Sequence, residues 1–172
     1  MRAVFALLLV LSFAAGAQTR GSEGDPGVSA RRGEAQVPLP QFPEPENYLS
    51  FEVSATTPFD FFVDAKSVSV SADDVVRYTV IAKSASGAKN ISFEGMRCSD
   101  KEFRIYAVGR SDNTWSEVRN SSWQPITVDQ RNVQRAVLYR HFFCPFAGNV
   151  ADIGEALRTL RAGTSRAAIP YY

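Results

Sequence analysis

From Phe51 to Gly109 the chain is written in short alternating runs separated by turn residues, a pattern that predicts antiparallel sheet. FFVDAKSVSV carries Phe62 and then Val68 and Val70. VVRYTVIAK puts Val76, Tyr78, Val80 and Ala82 on one face and Val75, Arg77, Thr79, Ile81 and Lys83 on the other. SADD and SASGAK, the latter through Gly87, supply tight turns, so three consecutive strands joined as hairpins are the economical connection. The third is KNISFEGMRC. Its alternation slips near Glu94 and Gly95, with Ile91 and Phe93 pointing one way and Met96 and Cys98 the other, which predicts a bulge. A fourth strand, EFRIYAVGR, alternates Phe103, Ile105 and Ala107 against Arg104, Tyr106 and Val108.

Beyond Gly109 helical signals compete. RNVQRAVLYRHFF reads as a short helix with Val133, Ala136 and Val137 inward, or as a strand through Val137 and Tyr139. Near the C-terminal end, Asn149 can cap a helix with Asp152 close to its positive end, Ile153, Leu157 and Leu160 on one face, and Gly163 as the stop. The expected fold is therefore α+β: an antiparallel meander of four or more strands packed by a C-terminal helix. A small β-barrel or sandwich is the alternative, with Arg131 to Phe143 as a strand.

The N-terminal segment has a different character. Arg2 and the apolar run Ala3 to Leu11 precede Ala15-Gly16-Ala17, the layout of a secretory signal cleaved after Ala17. The apolar run ends after roughly 14 residues, short of the ~20 that a membrane span takes. No cysteine stands at the cleavage site to carry a lipid anchor. Residues 18–36 are rich in Gly, Ser, Glu and Arg and read as a disordered linker. Residues 37–47 hold Pro38, Pro40, Pro43 and Pro45 and read as an extended arm, with Phe42, Tyr48 and Leu49 available to dock. That leaves one globular domain over 48–163 and a tail over 164–172, a division that 172 residues with 45% apolar content can support.

Without Arg2 the chain holds 18 basic and 18 acidic side chains, so nucleic acid is not an expected partner. The distribution is uneven: residues 42–82 carry seven acids and two bases, residues 83–166 thirteen bases and eight acids. Two cysteines, Cys98 and Cys144, both lie in the exported part, where an oxidising compartment lets them close into a disulfide. The functional alternative is a reactive thiol beside His141.

Few catalytic chemistries find their residues here. One histidine and two cysteines, with no CxxC, HExxH or EF-hand spacing, offer no first shell for a metal, and no cofactor is expected. GxSxG and the phosphate-cradling glycine loops are missing. Asp73, Asp74, Asp100 and Glu102 read as solvated turn acids. One set stands out: Tyr106, Trp115 and Trp123 share a stretch with Arg104, Arg110, Arg119, Arg131 and Arg135. Aromatic rings with guanidinium groups can form a binding surface, of which Arg104, Tyr106, Arg110, Trp115, Arg119 and Trp123 are the candidates. The same tryptophans could instead fill the core with arginines around its rim.

The stretch PLPQFPEPENYLSFEVSATTPFDFFVDAKSVSVSADDVVRYTVIAKSASGAKNISFEGMRC, with EFRIYAVGR, TWSEVRNSSWQPI and the HFFCP cysteine, resembles the cryptic neisserial protein family from about Pro38 to Arg161. That resemblance implies a proteobacterial envelope protein of uncharacterised function and supplies no catalytic residues to carry over. Relatives include lipoproteins, from which this chain departs by having no cysteine at the cleavage site. FFVD, VVRYTV, RC and FRIYAVGR are also similar to surface-adhesin E type domains, which implies binding to extracellular matrix or to a partner. The expected role is a periplasmic, non-catalytic module that binds an envelope protein or polymer. The alternative is a hydrolase built from carboxylates with Tyr106 or Tyr139. The sequence leaves the oligomeric state open.

Overall fold

The computed structural model describes residues 34–36, 38–129, 132–145 and 150–162. The signal segment, residues 18–33 of the linker, Arg131, Asn149, Gly163 and the tail lie outside them. Among the described residues eight strands form one antiparallel sheet: β1 (Tyr48–Phe51), β2 (Phe59–Asp64), β3 (Ser69–Val70), β4 (Val75–Ser84), β5 (Lys89–Arg97), β6 (Glu102–Gly109), β7 (Trp115–Glu117) and β8 (Gln124–Pro125). Their order is β1-β2-β4-β5-β6-β7, with β3 also pairing β4 and β8 also pairing β6. Among the described residues the sheet stays open, and neither a barrel nor a sandwich forms.

The expected first strand is interrupted. Ser67 turns back on Asp64, its N–H and hydroxyl both donating to the Asp64 carbonyl at 3.2 and 2.9 Å. Its hydroxyl oxygen in turn accepts the Thr79 N–H at 2.8 Å, replacing a bond that the ladder loses where the strand breaks. The two expected turns form as hairpins. Asp74 takes a left-handed φ of 58° after β3, and Gly87 takes 87° between β4 and β5.

Strand β5 pairs with β4 in unbroken register, so Ile91 and Phe93 face away from Met96 and Cys98 by plain alternation. The irregularity lies between β5 and β6. Phe93 pairs with Ala107 and Glu94 with Ile105, which makes Tyr106 the extra residue of a β-bulge. Ala107, expected to share a face with Phe103 and Ile105, moves to the opposite face as a result.

One face carries the core. Val76, Tyr78, Val80, Met96 and Phe103 meet Ala136, Leu138, Phe143, Ala156 and Leu160 from the helical layer. Helix α1 (Val133–Leu138) continues into a π-helical turn over Tyr139–Phe143, so the Arg131 to Phe143 stretch takes its helical alternative. Helix α2 (Ile153–Arg161) buries Ala156 and Leu160, with Ile153 and Leu157 packed against the core. Its cap is Asp152 rather than Asn149: Asp152 Oδ1 accepts the Glu155 N–H at 2.8 Å, because the helix begins one residue after Asp152. Cys98, just past β5, and Cys144, just past the π turn, form a buried disulfide with a Cα separation of 5.4 Å. Among the described residues no helix is long and apolar enough to cross a membrane.

Arg135, expected with the surface arginines, is instead enclosed between α1 and the sheet. It donates to both Glu94 carboxylate oxygens, Nε to Oε2 at 2.7 Å and Nη2 to Oε1 at 2.6 Å. Tyr78 and Ser92 donate to the same carboxylate at 3.1 and 2.6 Å, and the guanidinium lies 4.0 Å over the Phe103 ring. Burial and the neighbouring Glu94 charge push the Tyr78 phenol well above its ordinary range.

Candidate functional site

The opposite face of the sheet is built around β4, β5 and β6. Alternation sends Arg77, Phe93, Gly95, Arg97 and Arg104 to it, and the bulge adds Tyr106. Gly95 is required here for its size: a Cβ at that position would stand 2.9 Å from Cε2 of Tyr106. Ring and guanidinium groups then assemble by contact. Arg77 and Arg104 lie 5.8 and 5.5 Å from the Tyr106 ring centre, and Arg97 stacks at 3.9 Å over Trp123. Phe93 packs between Tyr106 and Trp115, with ring centres 5.4 and 6.4 Å away.

Across this face lies the chain's own N-terminal arm. The Glu34 carboxylate accepts from Tyr106 at 2.6 Å, Arg104 at 2.8 Å and Trp123 Nε1 at 3.1 Å, and Arg97 is 3.9 Å away. Burial opposes its ionisation, but the Tyr106 hydrogen bond, the Arg104 charge and the Trp123 N–H together hold the carboxyl below the usual range. The next residue is gripped by its backbone: the Ala35 N–H donates to Asp73 at 2.8 Å and its carbonyl accepts from Arg77 at 3.1 Å. Further along, Trp115 Nε1 donates to the Pro40 carbonyl at 2.9 Å, and Phe42 packs on Trp115 with ring centres 5.2 Å apart. Gly109 leaves room for Phe42, since a Cβ there would sit 3.1 Å from the ring and 2.8 Å from Ile91. Between the arm and the sheet remains a cleft of about 520 Å³, walled on one side by Glu34, Ala35 and Leu39 of the arm and on the other by Phe93, Arg104 and Tyr106.

Four of the six expected surface residues therefore converge: Arg104, Tyr106, Trp115 and Trp123. Neither tryptophan fills the core; both are half-buried on this face. Arg110 is exposed and donates to Ser116 at 3.0 Å, and Arg119 is exposed. Both stand outside the contacts to Glu34. The sequence reading missed Glu34, Ala35, Asp73, Arg77 and Arg97. The proline run after Gln36 was the available signal, since it marks a chain that lies extended against something.

Asp73, expected to be a solvated turn acid, is enclosed. Its two oxygens take Arg77 Nη1 and Nη2 at 3.1 and 2.7 Å, and its side chain is 3% exposed. Burial works against the charge, but the Arg77 hydrogen bonds, the N–H groups of Ala35 and Val75, and the Arg77 charge bring its pKa down to about 2. A carboxyl depressed from its ordinary 3.8 stabilises the fold fully above that value and loses its contribution as pH falls through about 2. Acid titration should therefore remove up to about 2 kcal/mol between roughly pH 4 and 2. Urea midpoints measured across this range should fall more steeply for the unaltered chain than for Asp73→Asn. Parallel curves would mean that the pair carries no such linkage.

A two-layer α+β protein with helices on one face of an open sheet and an arginine-aromatic cleft on the other is the class that fold and site define. The chain belongs to the CNP1-like family, which matches residues 29–161. It is similar to Cryptic neisserial protein 1 from Neisseria gonorrhoeae (strain ATCC 700825 / FA 1090), at 27% identity over 93 residues, covering 46% of each chain. The matched part thus spans about half the length of that relative. No solved structure gives a significant match.

Proposed function

We propose that this protein is an exported, periplasmic, non-catalytic module that binds an envelope protein or polymer through the arginine-aromatic face of its sheet. The observation that carries the reading is the Glu34 carboxylate, taken up by Tyr106, Arg104 and Trp123 on a face that also grips backbone at Ala35. Charge-assisted hydrogen bonds of this kind select an anionic group and fix its position. Export is supported by the signal-like first 17 residues and by a disulfide that needs an oxidising compartment.

The same geometry favours binding over hydrolysis. Glu34 is held ionised, and burial with the hydrogen bond to Glu34 raises the Tyr106 phenol well above its ordinary 10. Neither group is poised to exchange a proton near pH 7.

In-cell crosslinking of the tagged, full-length protein, read by mass spectrometry, is expected to capture an envelope component. Capture should fall at least about tenfold in Arg104→Ala/Trp123→Ala, since each lost contact to a charged group is worth on the order of 1.5–3 kcal/mol. The variant should keep its far-ultraviolet circular dichroism. Undiminished capture by a folded variant would take the binding role away from this face.

A further inference from the structure

We infer that the cleft recognises an extended, acidic protein segment, and that Glu34, Ala35 and Pro40 are a resident copy which such a segment displaces. This rests on the binding reading above and names its partner. The contacts define the ligand's chemistry. A carboxylate enters the Arg104, Tyr106 and Trp123 pocket, the following residue offers N–H and C=O to Asp73 and Arg77, and a later carbonyl meets Trp115 Nε1. Two of these three points read amide N–H and C=O groups spaced along an extended chain, which a single small anion does not supply and a peptide backbone supplies at every residue.

Charge points the same way. With Glu34 withdrawn, the face holds Arg77, Arg97 and Arg104 against Asp73 and Glu117, so an incoming carboxylate meets net positive charge. The arm is also an imperfect occupant. Arg104 Nε is buried with no hydrogen-bond partner among the described residues, and the cleft of about 520 Å³ stays open between the arm and the sheet. A buried donor left unanswered is costly. A segment that brings a second acceptor to Arg104 therefore gains what the arm forgoes, and this lets it compete with a tethered rival whose effective concentration is on the order of millimolar.

The test uses the full chain with Glu34→Ala and Ala35→Pro, which remove the carboxylate and the Ala35 N–H. The probe is the acetylated peptide EAQVPLPQF, residues 34–42. It contains no tryptophan, and the protein's two tryptophans, Trp115 and Trp123, both touch the arm, so their fluorescence reports occupancy. The opened variant should bind the peptide at least about tenfold tighter than the unaltered chain does, because the tethered Glu34 carboxylate and Ala35 N–H no longer compete, although Pro40 and Phe42 keep their place on Trp115. The same peptide with its glutamate replaced by glutamine should bind about tenfold more weakly. If the double variant does not melt cooperatively, Glu34→Gln alone serves with the same readout. Equal affinity of opened and unaltered chains, absence of binding by the opened chain, or indifference to the glutamate each overturns the inference. In those cases, in-cell capture that still depends on Arg104 and Trp123 leaves the proposed function standing, and capture that ignores them removes both.

Discussion

Replacing Glu94 with alanine will destabilise the domain by about 3–5 kcal/mol, the usual cost of breaking a buried ion pair from one side. Glu94 is fully buried and takes both Arg135 hydrogen bonds, together with those of Tyr78 and Ser92. The substitution strips the guanidinium of its carboxylate and the Tyr78 hydroxyl of its acceptor, in a site where Tyr78 and Glu94 are fully buried and Arg135 nearly so. Folded domains hold only about 5–15 kcal/mol in total, so the loss should be visible as a large drop in urea midpoint with the slope unchanged. The pair's net worth is a separate matter. A double variant, Glu94→Leu with Arg135→Met, removes both charges and should recover most of the loss, since apolar replacements of buried pairs are often neutral. If Glu94→Ala costs less than about 1 kcal/mol, water reaches Arg135 and the site is not buried as described.

The second large effect is expected from the disulfide. Cys98 and Cys144 are separated by 46 residues in the sequence, and closing a loop of that length restricts the unfolded chain by about 4 kcal/mol in the entropic account. Cys98→Ala/Cys144→Ala should therefore melt on the order of 15 °C below the oxidised protein, as read by circular dichroism without reductant. The bridge also ties the end of β5 to the turn after α1, and Tyr139 donates to the Cys98 carbonyl at 3.1 Å across the same junction. Both cysteines are almost fully buried, so the native protein should resist mild reductant and lose its bridge only as it unfolds. A melting difference of a few degrees would show that the helical layer is held by packing alone.

Strands β2, β4, β5 and β6 were legible because their side chains alternate over stretches longer than the turns that divide them, whereas the break that separates the two-residue β3 from β2 was not. Gly87 and the SADD turn announced themselves through residues that tolerate positive φ. The disulfide needed no geometry, since two cysteines admit one pairing. Arg104, Tyr106, Trp115 and Trp123 could be proposed together from composition, but Arg110 and Arg119, equally basic and nearby in sequence, could not be separated from them. Arg135 shows why: what distinguishes a surface arginine from an enclosed one is Glu94, 41 positions away.

By itself the sequence determined the antiparallel sheet, the helix that packs it and the cysteine bridge, since each is encoded by residues that repeat or pair locally or by elimination. Only the tertiary structure decided that the sheet stays open, that Tyr106 is the bulged residue, and that Glu34 lies in the arginine-aromatic cleft. Glu34 stands 70 residues before Arg104 and 89 before Trp123. Neither residue carries a local mark of the other, because a hydrogen bond between distant segments depends on where the folded backbone brings them and leaves no periodicity in the chain.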